Sequence, residues 1–93
     1  MIRSFRDSET ARVWQGRNSR KLPKDVQERA LRKLRQLDAA QNMDDLRHPP
    51  GNRLEALKGR RNRQLSIRIN DQWRICFQWV EGEAINVEIV DYH

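Results

Sequence analysis

Ninety-three residues at 11.2 kDa leave room for one small domain, spanning 1–93, and exclude a second core. Hydrophobic residues are 37% of the chain and charged residues 34%, yet three Trp and two Phe supply more apolar bulk than a disordered chain of this charge carries. The net charge of +6 and a pI near 10.4 favour a polyanionic partner, either nucleic acid or an acidic protein. The single Cys76 excludes a disulfide framework and a Cys-rich zinc site, and fits a reducing cytosol. No stretch resembles a signal peptide or approaches the roughly 20 apolar residues of a membrane helix. A soluble, cytoplasmic chain with no membrane partner is expected.

In chain order, Ile2 to Arg6 alternate apolar and polar and predict a short strand. Asp7 or Ser8 offers an N-cap for a brief helix that buries Ala11, Val13 and Trp14 and ends near Gly16. A basic connector over 17–22 leads to Pro23, which suits the first turn of a helix. Val26, Ala30, Leu34 and Leu37 recur at helical spacing, with Leu31 widening the stripe, and predict a one-sided helix to about Asn42. His48-Pro49-Pro50-Gly51 forms a loop, after which the period becomes two. Strands are expected over 52–57, 64–69, 73–80 and 84–90, with a basic turn at 58–63 and tight turns at 70–72 and 81–83.

Side chains alternate across a sheet, so parity divides these strands into two faces. Leu54 and Ala56, Leu65, Ile67 and Ile69, Trp73, Ile75, Phe77 and Trp79, and Ile85, Val87 and Ile89 are expected under the helices. The other face would present Arg53, Glu55, Ser66, Arg68, Arg74, Cys76, Gln78, Asn86 and Glu88. The expected fold is α+β: an N-terminal strand and two helices on one face of a mostly antiparallel twisted sheet, with a polar face opposite.

An antiparallel sheet often shows water a polar face with no function. Here, however, residues 53–74 hold seven Lys or Arg against Glu55 and Asp71, while Glu81, Glu83, Glu88 and Asp91 gather in the last strand region. Segregated positive charge attracts phosphate. Metal-free RNA cleavage needs a base for the 2′-OH, cations for the phosphorane charge and an acid for the 5′-oxygen. Glu55, Arg74 with Lys58, and His93 match those needs in type. Against this, Glu55 also reads as a surface carboxylate paired with an Arg. Alternation gives His93 the core parity of Ile89, so reaching the site requires a bend near Val90. The basic residues of the second helix, Arg29, Arg32 and Lys33, equally suit a solvated face. His48 reads as a loop residue and Cys76 as a half-buried thiol. Neither metal-ligand spacing nor a Gly-rich phosphate loop is present, so no cofactor or metal is expected.

The run Leu54-Glu55-Ala56-Leu57-Lys58-Gly59, the run Ser66-Ile67-Arg68-Ile69-Asn70-Asp71-Gln72-Trp73-Arg74-Ile75 and the terminal Asp91-Tyr92-His93 together resemble the HigB branch of the RelE/ParE toxin superfamily. The resemblance covers essentially the whole chain. It implies a bacterial type II toxin that cleaves mRNA in the A site of the 70S ribosome. It also implies a cognate HigA-like helix-turn-helix antitoxin, through which alone the toxin would meet DNA. Lys58 matches the Lys of the family's Leu-Lys-Gly turn, Arg74 the Arg of the third strand, and Asp91, Tyr92 and His93 the catalytic tail. Several HigB toxins carry His where this chain has Glu55, whereas the related YoeB toxins carry Glu. By that comparison Glu55 is the implied base, His93 the acid and Arg74 the transition-state cation, with Lys58 and Tyr92 completing the catalytic set. Arg53, Arg60, Arg61, Arg68 and Asp91 form the expected RNA- and phosphate-binding set, and Arg29, Arg32 and Lys33 the ribosome-docking set. A ParE-like gyrase inhibitor and a non-catalytic RNA-binding module are the alternatives.

Overall fold

The period-two segments form an antiparallel meander in the computed structural model, which describes residues 1–61 and 63–91. Strand β1 is Glu55–Ala56, β2 Leu65–Arg68, β3 Trp73–Val80 and β4 Glu83–Asp91, in the spatial order β1-β2-β3-β4. The register pairs Glu55 with Ser66, Arg68 with Arg74, Cys76 with Glu88 and Trp73 with Asp91. Helices α1 (Ser8–Trp14) and α2 (Lys24–Ala39) complete the α+β fold.

Helix α1 starts where Asp7 accepts a 2.6 Å hydrogen bond from the Thr10 amide, so an otherwise unpaired donor of the first turn is satisfied. Pro23 sits at the N-cap of α2, one position earlier than expected. Val26, Ala30, Leu34 and Leu37 are buried in one cluster with Ile67, Ile75, Phe77, Val87 and Ile89. Each fully buried Val, Leu, Ile or Phe side chain of this cluster contributes about 1.5–3 kcal/mol. Trp14 is only half-buried, its ring centroid 6.3 Å from that of Phe5, and Ala11 is also half-buried. The buried polar residue of α1 is Thr10, whose hydroxyl accepts from the Ile89 amide. That bond ties the helix to β4.

Several expectations are corrected. Ile2–Arg6 is not a regular strand but two isolated parallel bridges, Ile2 to Ala84 and Phe5 to Val87. The cause lies in β4, where the pairing with β3 shifts between Cys76 and Gln78 and Asn86 takes a φ of 53°. This bulge interrupts the ladder, and the Asn86 amide turns to the Ser4 hydroxyl. It also exchanges the faces of β4: Ala84 opposite Trp79 enters the core, while Ile85 opposite Gln78 stays outside the core cluster.

Helix α2 ends at Ala39 rather than Asn42, because Ala40 is extended and Asn42 caps a new 3-10 turn, Met43–Arg47, through a reciprocal box with Asp45. The expected strand 52–57 shrinks to Glu55–Ala56. Asn52 is buried within the 3-10 turn Pro50–Asn52, and Arg53 is left-handed at φ 44°. Parity fails there too, with Ala56 exposed and Leu57 buried. The basic turn holds a third 3-10 segment, Gly59–Arg61. No described helix is long and apolar enough to cross a membrane.

Candidate active site

The face opposite the helices is not the open polar surface that alternation suggests. Ser66 and Cys76 are fully buried, and Arg74 is only 7% exposed. Ser66 and Arg74 lie on the same face of neighbouring strands, and the Ser66 hydroxyl accepts from Arg74 Nε at 2.8 Å. Arg74 Nη2 donates to the carbonyls of Arg53 at 2.6 Å and Ser66 at 3.3 Å. Nη1 lies 4.0 Å from Glu55 Oε1, whose side chain is 53% exposed. The Ser66 and Arg53 acceptors are neutral and hold the guanidinium plane, with one edge aimed at the accessible Glu55 carboxylate.

The Arg53 carbonyl is in place because Asn52 anchors the turn before it. Asn52 is fully buried, donates to Gln36 Oε1 and to the carbonyls of Leu46 and His48, each at 3.2 Å, and accepts from Lys33 Nζ. Such a fully satisfied buried amide specifies one loop conformation. The left-handed Arg53 then turns its carbonyl toward Arg74.

Arg53, Glu55, Arg68, Asn70, Asp71 and Arg74 line a groove of about 240 Å³. Four of the sequence-predicted residues therefore meet: Arg53, Glu55, Arg68 and Arg74. Arg68 is ion-paired with Asp71 across the β2–β3 turn. Lys58 and Arg60 are exposed and do not line this groove. Asp91 is exposed at the end of β4, where it accepts from Gln72 Nε2 at 3.1 Å. The β4 register runs unbroken from Glu88 to Asp91, so the bulge lies at Asn86 rather than near Val90. Tyr92, His93 and the Arg61 side chain, with the roles expected of them, lie outside the described residues.

Arg29, Arg32 and Lys33 are brought together in a second basic pocket of about 290 Å³, which also includes Arg68. The Lys33 amine is held below its ordinary 10.5, chiefly by burial and further by the charges of Arg29, Arg32 and Arg68. Of the acidic residues near the C-terminus, Glu83 and Glu88 each lie 3.3 Å from an N-terminal partner, Arg3 and Arg6. No group of three His, Cys, Asp or Glu among the described residues is placed to hold a metal ion.

The sequence reading missed Ser66, Asn52, Asn70 and Asp71 as site residues. Ser66 was legible in principle, because strand parity already put it on the Arg74 face. Asn52 was not, since its partners come from α2 and two separate turns.

A family model described as the RelE-like toxin of the type II toxin-antitoxin system HigB matches residues 3–93, and the chain belongs to that family. It is thus a type II toxin, and membership implies an antitoxin partner. Toxin HigB-1 of Vibrio cholerae is 51% identical over 67 residues, covering 72% of this chain and 70% of the relative. Endoribonuclease HigB of Proteus vulgaris is 29% identical over 93 residues, covering 100% of both chains. Among solved structures, a chain of the YoeB-YefM complex from Staphylococcus aureus matches the fold with a TM-score of 0.61 and 16% identity, covering 100% of this chain and 98% of that one.

Proposed function

We propose that this toxin is an endoribonuclease, a single-domain cytoplasmic protein that cleaves mRNA in the ribosomal A site until a HigA-like antitoxin neutralises it. The observation that carries the reading is the groove in which an accessible Glu55 carboxylate faces the fixed Arg74 guanidinium at 4.0 Å. The full-length similarity to the Proteus vulgaris endoribonuclease supports it.

In the proposed reaction Glu55 takes the 2′-OH proton, the 2′-oxygen bonds to phosphorus, and the P–O5′ bond breaks. Arg74 stabilises the charge that builds on the phosphorane oxygens. His93 donates the proton to the departing 5′-oxygen, and Lys58 and Tyr92 assist at the phosphate. Arg53, Arg60, Arg61, Arg68 and Asp91 guide the strand. A glutamate is a weak base at neutral pH, so such a site needs its substrate held in attack geometry. The groove is small and open, and the ribosome would supply that grip, with Arg29, Arg32 and Lys33 adding contacts to RNA phosphates.

Primer extension on a defined mRNA with purified 70S ribosomes tests the proposal. Cuts at A-site codons that disappear without ribosomes and in Arg74→Ala are the expected result. Growth arrest with intact mRNA would transfer the reading to a gyrase target.

A further inference from the structure

Helix α2 carries Arg29, Arg32, Lys33 and Gln36 at helical spacings that place them on one face. This face does not cover the sheet core. It closes instead against the Gly51 backbone and the end of β2 at Arg68, enclosing about 290 Å³. Four of the lining side chains are cations, and none of the lining residues is acidic. Among the described residues Arg29, Arg32 and Lys33 have no ion pair, and the Arg68 partner, Asp71, belongs to the neighbouring groove.

Solvated cations on a helix normally spread into water, because converging like charges repel. Here Lys33 is half-buried, and its acceptor is the neutral Asn52 amide, itself locked by three donated hydrogen bonds. The ammonium is thus held in place with no carboxylate among the described residues paired to it. Burial first, and then the neighbouring charges of Arg29, Arg32 and Arg68, hold the Lys33 amine below its ordinary basicity. Two guanidinium forks and an ammonium around a concave pocket suit a tetrahedral oxyanion.

We propose that this pocket binds a backbone phosphate of RNA other than the one attacked, so that the toxin grips RNA at two adjoining points with Arg68 as their common wall. Arg68 lines both cavities and is the cross-strand partner of Arg74. RNA as the ligand rests on the nuclease reading, whereas the anion site rests on the pocket alone.

The test uses the full chain with a fluorescent 2′-O-methyl oligoribonucleotide, which lacks the attacking hydroxyl, and in parallel with inorganic phosphate followed by amide NMR. Arg32→Ala and Lys33→Met are expected to weaken the oligonucleotide about tenfold and to lower the log–log salt slope by close to one contact each. Arg35→Ala, on the same helix but outside the pocket, removes an equal charge and serves as comparator. Arg32 is exposed, so its variant keeps the question answerable if Lys33→Met folds poorly. Equal losses in Arg32→Ala and Arg35→Ala would overturn the site and leave a general basic surface. Phosphate that shifts the amides of 33, 51 and 68 without competing with the oligonucleotide would overturn RNA as the ligand. Oligonucleotide binding by the pocket with no cleavage on ribosomes would sink the nuclease reading and leave the anion site standing. Cleavage with wild-type binding in both pocket variants would sink the pocket alone.

Discussion

Arg74 Nη2 donates a 2.6 Å hydrogen bond to the carbonyl of Arg53, a residue whose backbone is left-handed at φ 44°. The candidate catalytic cation is therefore aimed by main chain from a turn outside the meander. Ser66 completes the cradle from the adjoining strand through both its hydroxyl and its carbonyl.

Arg74→Ala should lower single-turnover cleavage about 10²–10³-fold, the usual cost of losing one preorganised charge-stabilising group. Arg74→Lys should recover little, because an ammonium cannot reproduce the planar set of contacts to Ser66 and Arg53. Cleavage rates on ribosomes, beside circular dichroism of each variant, check this. Wild-type activity in Arg74→Lys would show that only charge matters.

Glu55→Gln separates a nuclease from an RNA-binding module. Glu55 is half-exposed and only 4.0 Å from Arg74, so the amide should leave the fold and oligonucleotide affinity nearly intact. Cleavage should fall at least about a hundredfold if the carboxylate removes the proton. Equal rates for variant and wild type would remove Glu55 from the chemistry.

Asn52→Ala breaks four hydrogen bonds at a fully buried position and strands Lys33 and three acceptors. A loss of about 2–4 kcal/mol in urea unfolding is expected. The Arg53 carbonyl would lose its anchor, so cleavage should fall even at temperatures where the variant stays folded.

Lys33 makes stability depend on alkaline pH. Burial first, and then the charges of Arg29, Arg32 and Arg68, hold its folded pKa below 10.5, so between that value and 10.5 the unfolded chain binds the extra proton. Stability from this residue therefore rises with pH across that window, and its destabilising share is complete below the folded pKa. Urea midpoints of wild type minus Lys33→Met, followed up to pH 10.5, should increase. A flat difference would contradict the assigned environment.

Asn86 occupies the left-handed position of the β4 bulge at φ 53°. Asn86→Val should cost about 1–2 kcal/mol, because a β-branched side chain collides with its own backbone there. Asn86→Gly should stay within a few tenths of a kcal/mol. Thermal melts of the pair distinguish backbone strain from loss of the Asn86–Gln78 side-chain bond, which both variants remove.

Most of the architecture was legible from spacing alone. The α2 stripe of Val26, Ala30, Leu34 and Leu37 and the β3 stripe of Trp73, Ile75 and Phe77 face one core, since burying those side chains dominates every local preference. Glu55 and Arg74 were likewise legible as a pair of the right chemical types, though their 4.0 Å approach was not. Tertiary structure decided what periodicity does not encode. One extra residue at Asn86 moved Ile85 off the core and reduced the N-terminal strand to two bridges, because parity reverses beyond a bulge. The 52–57 segment became an anchored turn, because a fully satisfied buried Asn52 outweighed the strand preference of its neighbours. Residue types set which chemistry was available, and the hydrogen bonds that anchor Asn52 and those from Arg74 to Arg53 and Ser66 set where it could occur.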